Sequence, residues 1–233
     1  MQNAENTLLL VHGAWHGSWC WERLLPALNG RGLSAVTVDL PSASPDGNLG
    51  TGLREDTQTL RAALDRIDGP ATVVAHSYAG IPATMAAVGD RRIAHLVYLA
   101  AYQLDAGESL LGFHGRPAPD PAQGTVPPLD NPRESFYSDV PEEEAERAVR
   151  RLTRQSLRSF CEPVTAAGWR DVPSTYVLCD RDRAFAPQDQ ERLAARAQSV
   201  HRLPSGHSPF LSMPERLADL LNYLHARPGG GRG

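Results

Sequence analysis

The stretch "VVAHSYAGIPA", residues 73–83, decides how this chain is read. Small and β-branched residues run up to His76 and Ser77, and a helix-forming segment follows at once. A serine at such a junction sits on a sharp strand-to-helix turn that lifts its hydroxyl above the edge of a sheet. The turn is so tight that the residues two before and two after must be small, and in the usual G-x-S-x-G pattern they are glycines. Here they are Ala75 and Ala79, with Gly80 next, so alanine replaces glycine on both sides. The start of the following helix brings N–H donors and a positive dipole end toward the hydroxyl, where an oxyanion would form. Pro82 lies five residues after Ser77. It removes one helix hydrogen bond and crowds the carbonyl of Tyr78, which predicts a distorted first turn.

Around this junction, short apolar runs alternate with helix-periodic segments. Residues 7–13, 34–40, 71–77, 95–101, 174–180 and 199–205 read as strands, most of them apolar throughout, as parallel strands buried on both faces are. Trp21, Leu24, Leu25 and Leu28 mark a helix that ends at Asn29-Gly30. Leu53, Thr57, Leu60, Leu64 and Ile67 mark a second, and Leu217, Leu220, Leu221 and Leu224 a last one. This alternation predicts an α/β architecture with a parallel sheet. The rhythm breaks between about residues 103 and 170, a gap too long for a simple crossover. Residues 116–133 are proline-rich and read as a surface loop. Residues 139–152 carry an aspartate near the N-cap, a proline in the first turn, acidic residues early and arginines late, and read as a helix. The expected organisation is a core of residues 1–102 and 171–227, a helical cap over 103–170 and a disordered tail at 228–233.

Composition narrows the function. The apolar fraction of 41% is that of an ordinary globular protein, and no apolar run is long enough to span a bilayer. The first residues lack a basic n-region and a long apolar stretch, so a cytoplasmic setting is expected. Three scattered cysteines, Cys20, Cys161 and Cys179, fit neither a disulfide framework nor a zinc ribbon. A net charge of −4 offers no footprint for nucleic acid or for a membrane surface. All 23 basic residues are arginine. With no lysine, Schiff-base, pyridoxal-anchoring and P-loop chemistry are excluded.

A serine hydroxyl needs a base, and the base needs an orienting acid. On this kind of turn the chain order is serine, then aspartate or glutamate, then histidine. "CDRDRAF" after the fifth strand offers Asp180 and Asp182. "LPSGHSPFLS" after the sixth offers His207 in a turn. Asp105, after the fourth strand, is an outside candidate for the acid. His95 and His201 fall in strands, and His114 and His225 fall in the cap and the last helix. His76 adjoins the serine, with its side chain expected to point away. "VHGAWHGSWCW", residues 11–21, follows the first strand, where an HG-type loop supplies a second backbone donor for an oxyanion. His12 and His16 have the spacing of a metal pair, but a loop setting without an acidic third ligand favours loop-holding hydrogen bonds instead. Trp15, Trp19 and Trp21 read as packing.

These segments, together with "VTVDLPS", "LVYLAA", "FYSDVPEEEA" and "GHSPFLSMPERLADLL", resemble the α/β-hydrolase superfamily. Within it, the resemblance is to the group of plant methylesterases, polyneuridine aldehyde esterase-like enzymes, hydroxynitrile lyases and small bacterial esterases. It implies a six-stranded, mostly parallel sheet in the order 2-1-3-4-5-6, with a helical cap inserted after the fourth strand. It implies Ser77 as nucleophile, His207 as base and Asp182 as acid, with the backbone N–H groups of Ala14 and Tyr78 as the oxyanion hole. Gly13, Trp15, Leu110, Phe113 and Phe210 are the expected pocket residues. The implied activity is hydrolysis of small to medium apolar carboxylic esters through an acyl-serine, with no metal or organic cofactor. The expected partner is a small-molecule ester, and relatives of this kind are often homodimers. A cofactor-free lyase, cyclase or oxygenase-type reaction on the same scaffold stays open, as does a non-catalytic small-molecule receptor. Hydroxynitrile lyases of the group carry a threonine at the position of Gly13 and a lysine at that of Ser208, and this chain has neither.

Overall fold

The computed structural model describes residues 7–44 and 50–226. The tail expected to be disordered lies outside them. Six strands form one sheet: β1 (Thr7–Val11), β2 (Ala35–Val38), β3 (Ala71–His76), β4 (Ile93–Leu99), β5 (Ser174–Cys179) and β6 (Ser199–Leu203). Their spatial order is β2-β1-β3-β4-β5-β6, and every pairing is parallel. Burial follows position. β3 and β5 are buried at every residue, whereas the edge strands β2 and β6 keep partly exposed positions. The two-residue period sorts β1 between the faces: Leu9 and Val11 enter one core cluster, and Leu8 and Leu10 the other.

Helices α2 (Leu53–Leu64) and α3 (Gly80–Ala86) pack together on one face, joined there by α4 (Pro187–Ala194). Helices α1 (Leu24–Asn29) and α5 (Pro214–His225) pack together on the other. The Glu55 side chain accepts the Gly52 N–H at 2.8 Å and so begins α2, while Pro187 and Pro214 open α4 and α5. The helix α1 ends at Asn29, but Gly30 stays right-handed, and the left-handed glycine of that turn is Gly32.

After β4 the chain leaves the sheet. The cap holds short helices at Leu110–Phe113, Pro132–Phe136, Glu142–Val149 and Leu157–Cys161. It is not purely helical. Thr125–Val126 and Arg154–Ser156 pair antiparallel, and Ala43–Ser44, just past β2, adds a third strand on the other side of Arg154–Ser156. This small sheet fastens the cap to the core. Its strand Thr125–Val126 falls within residues 116–133, the segment read as a surface loop, because a pairing of two residues is too short to leave a periodic trace. Asp139 does not cap the helix beginning at Glu142, whose N-cap is Pro141. Its Oδ2 instead accepts the Gly206 N–H at 2.7 Å.

The cap returns to the core through a 3-10 turn at Gly168–Arg170 against α3. A methyl group on Gly168 would fall 2.7 Å from the Ala87 carbonyl carbon, the Thr84 oxygen and the Val88 nitrogen, all backbone atoms. Gly168→Ala should therefore cost about 1–3 kcal/mol and lower the melting temperature by several degrees in a thermal denaturation series. An unchanged melting temperature would show that this contact can open freely.

Candidate active site

Ser77 follows β3 directly, with φ of 54°. A non-glycine residue is strained there, by roughly 1–3 kcal/mol. Its neighbours hold it. The Tyr102 N–H donates to the Ser77 carbonyl at 3.0 Å, and a methyl on Gly80 would fall 2.6 Å from the Tyr102 oxygen. Ala75 and Ala79 are fully buried beside it. The first turn after Ser77 is 3-10, spanning Ser77–Ala79, before α3 begins, in line with the expected effect of Pro82. Gly13, after β1, is as constrained: a methyl there would lie 2.9 Å from both Ser77 Cβ and His76 Nδ1.

The loop after β1 is built around two neutral histidines. His12 Nδ1 donates to the Gly13 carbonyl at 2.8 Å, and its Nε2 accepts the Leu40 N–H at 3.0 Å. His16 Nδ1 donates to the Ala14 carbonyl at 2.7 Å, and its Nε2 accepts the Tyr137 hydroxyl at 2.8 Å. Burial lowers both pKa values, that of His16 to about 3. All four ring nitrogens are used, so these side chains shape a loop, and among the described residues no cluster suited to a metal ion occurs. Trp15 has φ of 63° and is tied to the cap three times. Its N–H donates to Gln155 Oε1 at 3.2 Å, its carbonyl accepts the Thr153 N–H at 2.8 Å, and its indole donates to the Val126 carbonyl at 3.1 Å.

His207 lies in the turn after β6. Its Nδ1 is 2.7 Å from Asp182 Oδ2, and both side chains are buried. Asp182 accepts three further bonds, from the N–H groups of Ala184 and Phe185 at 2.8 Å each and from Gln190 Nε2 at 2.9 Å. Four donors fix one carboxylate rotamer and leave His207 Nδ1 as the protonated nitrogen. Asp180 pairs instead with Arg202 at 2.8 Å, and Asp105 pairs with Arg170. The main chain of His207 is also held. His76 Nε2 donates to the His207 carbonyl at 2.9 Å, and burial keeps that imidazole neutral. His76, Gln190 and Asp139 are positioning residues that strand and motif reading did not reveal. A histidine next to the serine and an aspartate before the cap helix were visible, but their partners are over 60 residues away.

Ser77, Tyr78, Ala14 and His207 line one cavity of about 540 Å³. Its walls are largely aromatic and aliphatic: Trp15, Tyr102, Leu110, Leu111, Phe136, Leu157, Phe160 and Phe185 take part. Arg116 is the one permanently charged side chain among the described lining residues. Three expected pocket residues lie elsewhere. Gly13 sits behind Ser77, where its missing side chain allows the close approach. Phe113 packs T-shaped against Tyr102 and lies under the Arg192 guanidinium. Phe210 is fully buried against Trp21 and His76. The tryptophans also divide: Trp21 is core, Trp19 stacks on His16 below Arg151, and Trp15 is cavity wall.

A family model described as "Alpha/beta hydrolase family" matches residues 8–220. The chain belongs to that family. It is 28% identical to the alpha/beta hydrolase nvfD of Aspergillus novofumigatus, covering 92% of this chain and 94% of that protein. It is 29% identical to a carbendazim hydrolyzing esterase of Nocardioides sp., covering 93% and 98%. Among solved structures it superposes on the methylesterase MES16 of Arabidopsis with a TM-score of 0.82 at 26% identity, covering 95% and 99% of the two chains.

The contrast between the two aspartates is testable. Asp182→Asn should slow the reaction of Ser77 with phenylmethylsulfonyl fluoride by about 10³-fold or more, because the amide no longer holds the needed His207 tautomer. Asp180→Asn should leave the rate within about twofold, since it alters an exposed ion pair. Equal losses in both variants, followed by inactivation kinetics, would dissociate Asp182 from the reactivity of the serine.

Proposed function

We propose that this protein is a serine hydrolase of small to medium apolar carboxylic esters, acting through an acyl-serine intermediate. The observation that carries this reading is Ser77, held in a left-handed turn, opening into the same apolar cavity as a histidine backed by a buried aspartate. In this reading the Ser77 hydroxyl attacks the ester carbon while its proton passes to His207 Nε2. Nδ1 keeps its hydrogen bond to Asp182, which stabilises the imidazolium. The negative oxygen meets the N–H groups of Ala14 and Tyr78, each such donor being worth roughly 10²–10³ in rate. The protonated His207 then gives its proton to the leaving alkoxide, and a water repeats the sequence to release the acid.

Substrate size follows from the enclosure. A cavity of about 540 Å³ lies within the usual range for small-molecule sites. The cap residues Leu110, Leu111 and Val126 share its walls with Ser77, so the ester reacts under a roof. Similarity to a methylesterase and to a carbendazim hydrolyzing esterase supports this reading, and so does the intact His207–Asp182 pair. Three free cysteines fit a reducing, cytoplasmic setting.

Ser77→Ala should keep the melting temperature and lower kcat on p-nitrophenyl acetate by about 10³-fold or more. In a chain-length series, kcat/KM should peak at short acyl groups, with no jump when emulsified triglyceride is offered. Near-normal turnover by Ser77→Ala would move the chemistry to the His207–Asp182 pair alone. A rate that climbs to the longest chains would mean that the cap does not enclose the substrate.

A further inference from the structure

Asp56 is fully buried in α2, takes no part in the reaction described above, and is not exposed to the cavity. Its carboxylate accepts three hydrogen bonds. The Tyr78 hydroxyl donates to Oδ2 at 2.6 Å, Ser42 Oγ donates to the same oxygen, and the Ser42 N–H donates to Oδ1 at 3.0 Å. The chain continues beyond Ser42. Gln155 Nε2 donates to Ser42 Oγ at 2.7 Å and to Ser159 Oγ at 2.8 Å, and the Ser159 hydroxyl donates to the Ser156 carbonyl at 2.8 Å. Gln155 Oε1 in turn accepts the N–H of Trp15 at 3.2 Å.

The bonds run in one consistent direction. Gln155 must face Trp15 with its oxygen, so its amide hydrogens go to Ser42 and Ser159. Ser42, already an acceptor, has one proton left, and that proton goes to Asp56. Tyr78 is kept protonated by burial and by the adjacent carboxylate, so its hydroxyl keeps the proton that it donates to Asp56. Asp56 is therefore an acceptor on all three contacts, which is the role of an ionised carboxylate. Burial works against that charge and raises the carboxyl pKa to about 6, while Ser42 and Tyr78 offset it and Glu55 is the charged neighbour. A charge kept at such a cost, with all its partners satisfied, calls for a purpose.

The two ends of the chain supply one. Tyr78 is the residue whose backbone N–H is one proposed oxyanion donor. Trp15 immediately follows Ala14, the other. We propose that Asp56 is a positioning residue that sets both arms of the oxyanion hole and locks the cap onto them through this single buried chain. The proposal rests on the acyl-serine reading above. Tyr78 is held at its phenol and Ala14 through the next peptide, so a shift at Asp56 reaches both donors together. Gln155 lies in the small cap sheet, so the cap and the hole move as one unit.

The test compares Asp56→Asn, Tyr78→Phe and the double variant with Tyr98→Phe. The last removes an equally buried phenol hydrogen bond, to Thr84 at 2.7 Å, that is not part of the Asp56 chain. Asp56→Asn presents an amide hydrogen to donors that need an acceptor. It should lower kcat on p-nitrophenyl acetate by about 10-fold to 100-fold, below the loss of a whole donor, with KM within about twofold. The inhibition constant of phenylboronic acid, whose Ser77 adduct places a charged oxygen in the hole, should rise by a similar factor. Tyr78→Phe should behave alike, and the double variant should lose no more than the larger single loss. Tyr98→Phe should keep wild-type kcat even if its melting temperature drops. Normal kcat and boronate inhibition in Tyr78→Phe would overturn the proposal, and this arm stands even if Asp56→Asn does not fold. So would additive losses, or a kcat loss in Tyr98→Phe of the same size. Failure of the acyl-serine reading looks different: the wild-type protein itself would then show no ester turnover and no boronate inhibition.

Discussion

The structure turns on the close approach of three backbones at the carboxyl ends of β1, β3 and β4. Among the described residues, the non-glycine positions with left-handed backbone are Trp15, Ser77 and Ala100, one just past each of these strands. Strain is concentrated at one place and held there by contacts that leave no alternative. Gly13 has no room for a methyl against Ser77, and Gly80 has none against Tyr102. The sheet order β2-β1-β3 reverses direction between β1 and β3, so this is also the crevice that the topology itself opens. Ser77 and the Ala14 loop face each other there because the strands that carry them are neighbours.

Around this point the core holds two buried carboxylates whose hydrogen-bond donors are in place. Asp182 and Asp56 are both buried carboxylates, with four and three donors respectively. One orients the imidazole of His207, and the other is assigned to the oxyanion loops. Neutral His12, His16 and His76 act as rigid struts, each holding main chain rather than titrating near neutral pH. Such networks favour a single geometry, because a half-satisfied one is heavily penalised in a low-dielectric interior. Preorganisation of this kind lets a site stabilise charge without rearranging as the charge appears.

Much of this was legible in the residues. The six strands stand out because both-face burial makes parallel strands continuous apolar runs, and the chain order of Ser77, Asp182 and His207 follows from their places after three of them. The pairing of Asp182 with His207 needed the resemblance to separate it from Asp180, since both aspartates follow the same strand. The cap was legible only as an interruption. Its two- and three-residue strands have no period to detect, and its partner strand at Ala43–Ser44 lies over 80 residues earlier. The cavity wall was read worst. Phe113 and Phe210 are as apolar as Phe136 and Phe160, and only the tertiary packing decides which pair meets the cavity. Asp56 was invisible for a related reason: on an amphipathic helix it reads as surface charge, and its partners Ser42 and Tyr78 come from two other segments.

The central claim is that Ser77 becomes acylated. Mixing the protein with p-nitrophenyl acetate, quenching in acid within the first turnover and mapping the peptides by mass tests this directly. The account predicts a burst of p-nitrophenol matching the enzyme concentration, with one acetyl group on Ser77. Steady release of p-nitrophenol with no covalent adduct at any time, or an adduct on another residue, would contradict it.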